Sequence, residues 1–206
     1  MGVWVVVWTS STERRVIAVI DETTPESQGG VFYVVNAGIV IEDPDEARVV
    51  LRKVIDASGR TRPFHWHKEG PAARDAMCEA IEQLGVVSHV GVGHPTARHG
   101  QEKARAVALG LVLPRLLADG VVEVLIEHRT DRQDQRDQAV ILDVLHAQGR
   151  AGSLAYRWVS KTEPLVWIAD ALGGVMFDYL LGRDVFGRYD RLVASRCLSE
   201  PIYFRP

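Results

Sequence analysis

Arg15-Val16-Ile17-Ala18-Val19-Ile20-Asp21-Glu22 is an apolar run that ends in two acids. β-Branched residues crowd it and Thr23-Thr24-Pro25 follows as a turn signal, so it reads as a buried strand. A strand that delivers carboxylates at its C-terminal end sets negative charge at the rim of a sheet. Open α/β sheets hold their ligands there. Charge at that rim is costly unless a cation or hydrogen-bond donors neutralise it, which points to a metal or a proton-transfer role. Neighbouring strand residues face opposite sides, so only one of Asp21 and Glu22 is expected to face the site.

Working outward, a loop over residues 23–30 leads to a long strand, Val31 to Ile41, placed as an antiparallel neighbour of the first. Asp43-Pro44-Asp45-Glu46 starts a helix that runs to about Ala57. A short segment, Pro63 to Gly70, precedes a helix from Pro71 to Leu84 and a third strand, Val86 to Val92. A helix over residues 97–119 follows, which Pro114 should kink or interrupt. Val121 to Ile126 is a further strand, and it too ends in an acid, Glu127. A helix from Asp131 to near Gly149, a strand over residues 153–159 and a helix from Pro164 to about Leu181 complete the pattern. This order predicts an α/β protein with a mixed sheet, helices on both faces and a helical insertion between strands two and three. One domain is expected over residues 1–206, with a core over about 15–182. The tail, residues 183–206, wraps the core or meets a second copy. The run Met1 to Trp8 reads as an extra strand or a segment packed on a partner, so a homodimer is a candidate assembly.

Composition narrows the class. A chain of 206 residues can bury a substantial core, and 47% hydrophobic with 25% charged residues is the balance of a soluble globular protein. A net charge of −3 argues against purely electrostatic coating of DNA, which calls for a basic domain. Cys78 and Cys197 match no metal-ligand spacing and read as reduced thiols of a cytoplasmic protein. No run reaches membrane-spanning length, so no membrane association is expected.

Three acids stand at comparable places. Asp21 and Glu127 each close an apolar strand, and Asp170 interrupts the helix Leu165-Val166-Trp167-Ile168-Ala169-Asp170-Ala171-Leu172-Gly173-Gly174-Val175. Leu165, Ile168, Leu172, Val175 and Tyr179 form the core stripe of that helix, with Asp170 beside it. Apolar residues nearly all round predict burial, and a buried aspartate needs a partner or a cation. Gly173 and Gly174 permit a close backbone approach. Carboxylates converging from two strand ends and a helix suit a hard divalent cation such as Mg²⁺ or Mn²⁺.

Ile20-Asp21-Glu22-Thr23, with the strand that follows, and Pro164-Leu165-Val166-Trp167-Ile168-Ala169-Asp170-Ala171-Leu172 resemble the hallmarks of a large bacterial family. Its typical motifs are Asp-Glu-Ser after the first strand and Ile-Ala-Asp-Leu in the last helix, on a ribonuclease H-like fold. The resemblance spans residues 15 to 182. It implies a ribonuclease H-like mixed sheet and a two-metal phosphodiesterase site that uses Mg²⁺ or Mn²⁺ on nucleic acid. Asp21 matches the first-strand acid, Glu127 the acid ending the fourth strand and Asp170 the last-helix acid, and these three are the implied ligands. Glu102, early in the helix after the third strand, is placed as the helix glutamate of the fold, and Glu22 either faces away or supports the site from behind. Thr23 stands where Ser is usual, and Glu127 stands where Asp is commoner, which lengthens its reach by one methylene.

His65-Trp66-His67-Lys68-Glu69 is a second cluster. On a strand His65 and His67 would share a face, as in a transition-metal pair, but no Cys or further His follows at ligand spacing. The segment instead reads as a substrate contact, with Arg62, His65 and Lys68 on phosphates and Trp66 stacked on a base. The competing reading is a polar edge segment with Trp66 packed down. Arg129, Arg132 and Arg136 alternate with Asp131, Asp134 and Asp137 as a solvated helix start. Three functions remain in play: a metal-dependent nuclease, a catalytically silent binding or assembly module on the same fold, and, should no nucleic acid be cut, a metal-dependent phosphatase of small molecules.

Overall fold

The computed structural model describes residues 16–23, 32–57, 59, 62–96 and 100–205. Six strands form one sheet: β1 (Ile17–Thr23), β2 (Phe32–Ile41), β3 (Val87–Thr96), β4 (Glu123–Glu127), β5 (Ala155–Val159) and β6 (Ile202–Phe204). The helices are α1 (Pro44–Ala57), α2 (Pro71–Leu84), α3 (Gln101–Ala118), α4 (Asp131–Ala147), α5 (Pro164–Leu180) and α6 (Arg188–Ala194). Strand order is β5-β4-β1-β2-β3-β6. β1, β2 and β3 are antiparallel in turn, while β4 runs parallel to β1, β5 to β4 and β6 to β3. This is the expected ribonuclease H-like mixed sheet, with α1 and α2 inserted between β2 and β3.

The period-2 alternation of β1 divides the core. Ile17 and Val19 face the layer that includes Leu51, Ile81 and the α5 residues Leu165, Ile168 and Leu172. Ala18 and Ile20 face the layer of Leu109, Val112 and Leu116 from α3 and Ile141 and Leu145 from α4. With both faces covered, β1 has no polar face over Ile17–Ile20, which explains its unbroken apolar run. Helix starts follow their local chemistry. Thr130 accepts from the Gln133 N–H at 3.4 Å to cap α4, and Glu163 accepts from Leu165 N–H at 3.4 Å ahead of Pro164 to cap α5.

Several expectations change. Pro114 lies inside α3 without interrupting it. Tyr179 leaves the apolar stripe of α5; it is exposed and stacks on Tyr189 with ring centroids 3.7 Å apart. The tail wraps the core: Leu192, Cys197 and Leu198 are buried, and β6 adds a strand outside β3. The run Met1 to Trp8 lies outside the described residues. Among those described, no helix is long and apolar enough to cross a membrane.

Candidate active site

Parallel pairing sets the first two acids side by side. Ile20 lies opposite Ile126, so the next residues, Asp21 and Glu127, close adjacent strands at the same level. Both continue the face that carries Val19 and Leu125, toward α5, where Asp170 is buried. An open cleft of about 620 Å³ forms there, lined by Asp21, Glu127 and Asp170 together with Lys161, His65 and His67. The sheet edge also admits the other face into the same cleft, through Glu22, Glu102, Arg129 and Gln133. The expectation that only one of Asp21 and Glu22 faces the site is therefore corrected: they point to opposite sides of the sheet, yet both line the cleft.

Electrostatics separate the two halves. Burial pushes the Asp21 carboxyl well above its ordinary value and the charge of Glu127 adds to the push, while Lys161 pulls the other way, ahead of a smaller rise from Asp170. Lys161 donates from Nζ to Glu127 Oε2 at 3.3 Å and pairs with Asp170 Oδ1 at 3.6 Å. Asp170 also accepts the Trp66 backbone N–H at 2.8 Å and lies 3.3 Å from His65 Nδ1. Across the sheet edge, Glu22 is held by Arg105, a fully buried guanidinium that also donates from Nη2 to Asp137 Oδ2 at 2.9 Å. Arg129 donates to Glu102 Oε1 at 3.1 Å and to Asp137 Oδ1 at 3.2 Å, and stands 3.6 Å from Glu22. Partial burial raises the Glu102 carboxyl, but the Gln133 hydrogen bond and the Arg129 charge outweigh it and hold the group below its ordinary value. Glu102 is thus engaged by Arg129, Gln133 and Arg136, on the opposite side of the sheet edge from the three acids.

The histidine segment departs from its strand reading. Residues Trp66–Lys68 form a single turn of 3₁₀ helix, and the His65 and His67 rings meet edge-on at 6.0 Å. Burial lowers the His67 pKa, and the ring stands edge-on to Phe177 at 5.0 Å. Trp66 has no face for a base. It is fully buried, donates from Nε1 to Asp178 Oδ2 at 2.9 Å and lies under the Arg74 guanidinium at 4.9 Å. The packed-down reading is the correct one for Trp66. Arg62 and Lys68 are exposed and lie outside the cleft lining, with Arg62 bonded to the Lys68 carbonyl at 3.1 Å and paired with Glu69 at 3.0 Å.

Sequence reasoning missed Lys161 and Arg105, and read Arg129 as part of a solvated helix start, whereas it lines the cleft. A signal existed for Arg105, which shares a helical face with Ala108, Leu109 and Val112, all buried. The α4 start is also less solvated than its alternating charges predict, because Asp134 and Asp137 are buried partners of His128, Arg105 and Arg129.

No family model matches the sequence, and no curated protein matches it. Among solved structures, the chain is similar to the ribonuclease HII of Archaeoglobus fulgidus, solved in complex with PCNA. Identity there is 15%, coverage is 89% of each chain and the TM-score is 0.49. It is also similar to Bst ribonuclease HIII in complex with Mn²⁺, at 15% identity over 88% of this chain and 55% of that one, TM-score 0.46. The ribonuclease H2 of Pyrococcus horikoshii OT3 gives 13% identity, coverage of 87% and 76%, and a TM-score of 0.46. Likenesses this loose carry no weight on activity; strand order and connections carry the fold. What fold and cleft together define is a six-stranded mixed sheet of ribonuclease H-like fold with an acidic centre at the C-terminal ends of β1 and β4.

Proposed function

We propose that this chain, as a single ribonuclease H-like domain, is a divalent-metal-dependent phosphodiesterase that cuts nucleic acid. One observation carries the reading: Asp21, Glu127 and Asp170 come from two strand ends and a helix and line one cleft. The donor chemistry fits a hard cation, since three carboxylates supply only oxygen ligands and a single ammonium does not neutralise them. Burial first, and the neighbouring Glu127 charge second, raise the Asp21 carboxyl, and a bound cation would relieve both.

Asp21, Glu127 and Asp170 would hold Mg²⁺ or Mn²⁺. When bound, such an ion supplies Lewis acidity toward a phosphodiester and water. The remaining residues position. The Trp66 backbone N–H fixes the Asp170 carboxylate, and His65 sits against the same group at the cleft wall. Arg129, held by Glu102 and Asp137, presents positive charge to the opening, where a phosphate backbone would lie.

A cleavage screen on RNA, DNA and hybrid duplexes, with and without Mn²⁺, tests the proposal. Wild type is expected to cut at least one substrate only with metal, and Asp21→Asn to abolish cutting with an unchanged circular dichroism spectrum. Identical behaviour of the two proteins on every substrate rejects it. One observation favours the second reading, a silent binding module. Among the described residues, no group of three His, Cys, Asp or Glu side chains stands close enough to hold an ion as placed. That reading predicts nucleic-acid binding, or binding of another partner, that is unaffected by Mn²⁺ and by Asp21→Asn.

A further inference from the structure

Lys161 lies in the short connection between β5 and α5, and that connection is pinned on both sides. The Trp167 indole N–H donates to the Lys161 carbonyl at 2.7 Å from a nearly buried ring. Glu163 donates its N–H to the Ser160 carbonyl at 3.0 Å, caps α5 and accepts from Arg48 Nε at 2.9 Å. The lysine backbone is therefore set by contacts that have nothing to do with its charge. Its ammonium then reaches two acids on different elements, Glu127 at the end of β4 and Asp170 within α5. Among the described residues no other lysine or arginine stands within 4.0 Å of Asp21, Glu127 or Asp170. These are not solvent-screened partners, since the side chain of Glu127 is 19% exposed and that of Asp170 only 5%.

We propose that Lys161 is a built-in counter-ion of the acidic centre, which competes with a divalent cation for Glu127 and Asp170. The inference rests on the metal reading of the cleft given above. A cation that draws on the same carboxylate oxygens must displace the ammonium, because two like charges cannot share them at contact distance without a large Coulomb cost. A lysine ammonium is charged at neutral pH, so the competitor carries a full positive charge against these two carboxylates. The consequence is a threshold. The acids stay paired and folded when metal is scarce, and the apparent metal affinity is lower than the three carboxylates alone would give.

Calorimetric titration with Mn²⁺, without substrate, tests this on the full chain. Lys161→Met keeps the apolar stem and removes the charge, and Lys161→Arg keeps a charge. The Met variant is expected to bind Mn²⁺ roughly tenfold more tightly or better, the scale of removing one unit charge from beside the ion. It should also melt lower than wild type in EDTA and show a larger Mn²⁺-induced rise in Tm. The Arg variant should stay near wild type in all three. Equal or weaker Mn²⁺ binding by Lys161→Met overturns the inference while leaving the metal reading intact. Absence of binding in wild type and Met variant alike overturns the metal reading itself, and the inference with it. Binding that survives Asp21→Asn unchanged places the ion elsewhere and also overturns the inference. Should Lys161→Met fail to fold, Lys161→Gln replaces it in the same titration.

Discussion

Trp66 packs directly on the backbone of Gly174: a Cβ added at that glycine would stand 2.2 Å from the indole Cγ. The contact joins the histidine segment to the helix that carries Asp170, and the Trp66 N–H reaches the Asp170 carboxylate from this position. Gly173 plays the matching part toward β1, where a Cβ would come 2.8 Å from Thr23 Oγ1. Two glycines thus let α5 approach both the strand of Asp21 and the turn of His65, which brings the acids within one cleft.

Gly174→Ala is expected to destabilise the protein by about 1–3 kcal/mol, the usual cost of forcing extra volume into a filled core. Helix propensity works the other way and would favour alanine by about 1 kcal/mol. Gly110 in α3 supplies the control, since a Cβ there meets nothing within 4 Å. Gly110→Ala should be neutral or stabilising by up to about 1 kcal/mol. Urea denaturation of both variants decides the point. An unaffected Gly174→Ala protein would mean that Trp66 is not fixed where the structure places it.

Arg105 joins Glu22 at the end of β1 to Asp137 in α4, and all three are screened from water. Arg105→Met leaves Glu22 and Asp137 with Arg129 alone as a nearby guanidinium, at 3.6 and 3.2 Å, and a loss of about 3 kcal/mol, the lower end for breaking a buried pair, is expected. A double variant, Arg105→Met with Asp137→Leu, should recover part of that loss by removing one stranded charge. Thermal unfolding at neutral pH reads both. If the double variant is less stable than the sum of its single changes, the pairing account is wrong.

Arg129 makes a prediction that concerns protonation rather than stability. Its guanidinium helps to hold the Glu102 carboxyl below its ordinary value. In Arg129→Met the partial burial of Glu102 and its Gln133 hydrogen bond remain, so the midpoint of Glu102 should move upward. A carboxyl-directed NMR titration of the two proteins measures the shift. A midpoint that stays in place would show that Gln133 and the remaining guanidinium groups, Arg105 and Arg136, set it without Arg129.

How much of this was legible in the chain depends on the range of each signal. The unbroken apolar run of β1 and the all-round apolar α5 announce buried elements, because each carries its pattern within a single stretch. Asp21, Glu127 and Asp170 stand out by interrupting or ending those stretches, and they do line one cleft. Trp66 misleads for the opposite reason. Its neighbours are polar, and the glycine that receives its ring lies far along the chain. Lys161 sits in a Ser-Lys-Thr-Glu turn, where a lysine normally faces water; only the fold brings Glu127 and Asp170 beneath it. β6 is three residues long, too short for periodicity to speak, and its place beside β3 follows from the path of the tail around α6.

Asp21 ties the chemistry of the cleft to the stability of the fold. Burial, then Glu127, raise its carboxyl well above the unfolded value near 3.8. An acid raised on folding holds its proton more tightly in the native state than in the unfolded chain. Its contribution to stability is therefore fully present below the unfolded value and is lost as pH rises through the folded value. Metal-free wild type should accordingly lose stability across that window as the solution becomes more alkaline. In Asp21→Asn this component of the slope disappears, and at neutral pH the metal-free variant should match or exceed wild type, by a margin on the order of 1 kcal/mol. The same substitution removes a proposed ligand, so added Mn²⁺ should reverse the order and make wild type the more stable protein. Unfolding curves for both proteins, recorded from acid to neutral pH in EDTA and again in Mn²⁺, supply the comparison. A metal-free Asp21→Asn protein clearly weaker than wild type at neutral pH would show that the charge at the end of β1 is already compensated within the chain.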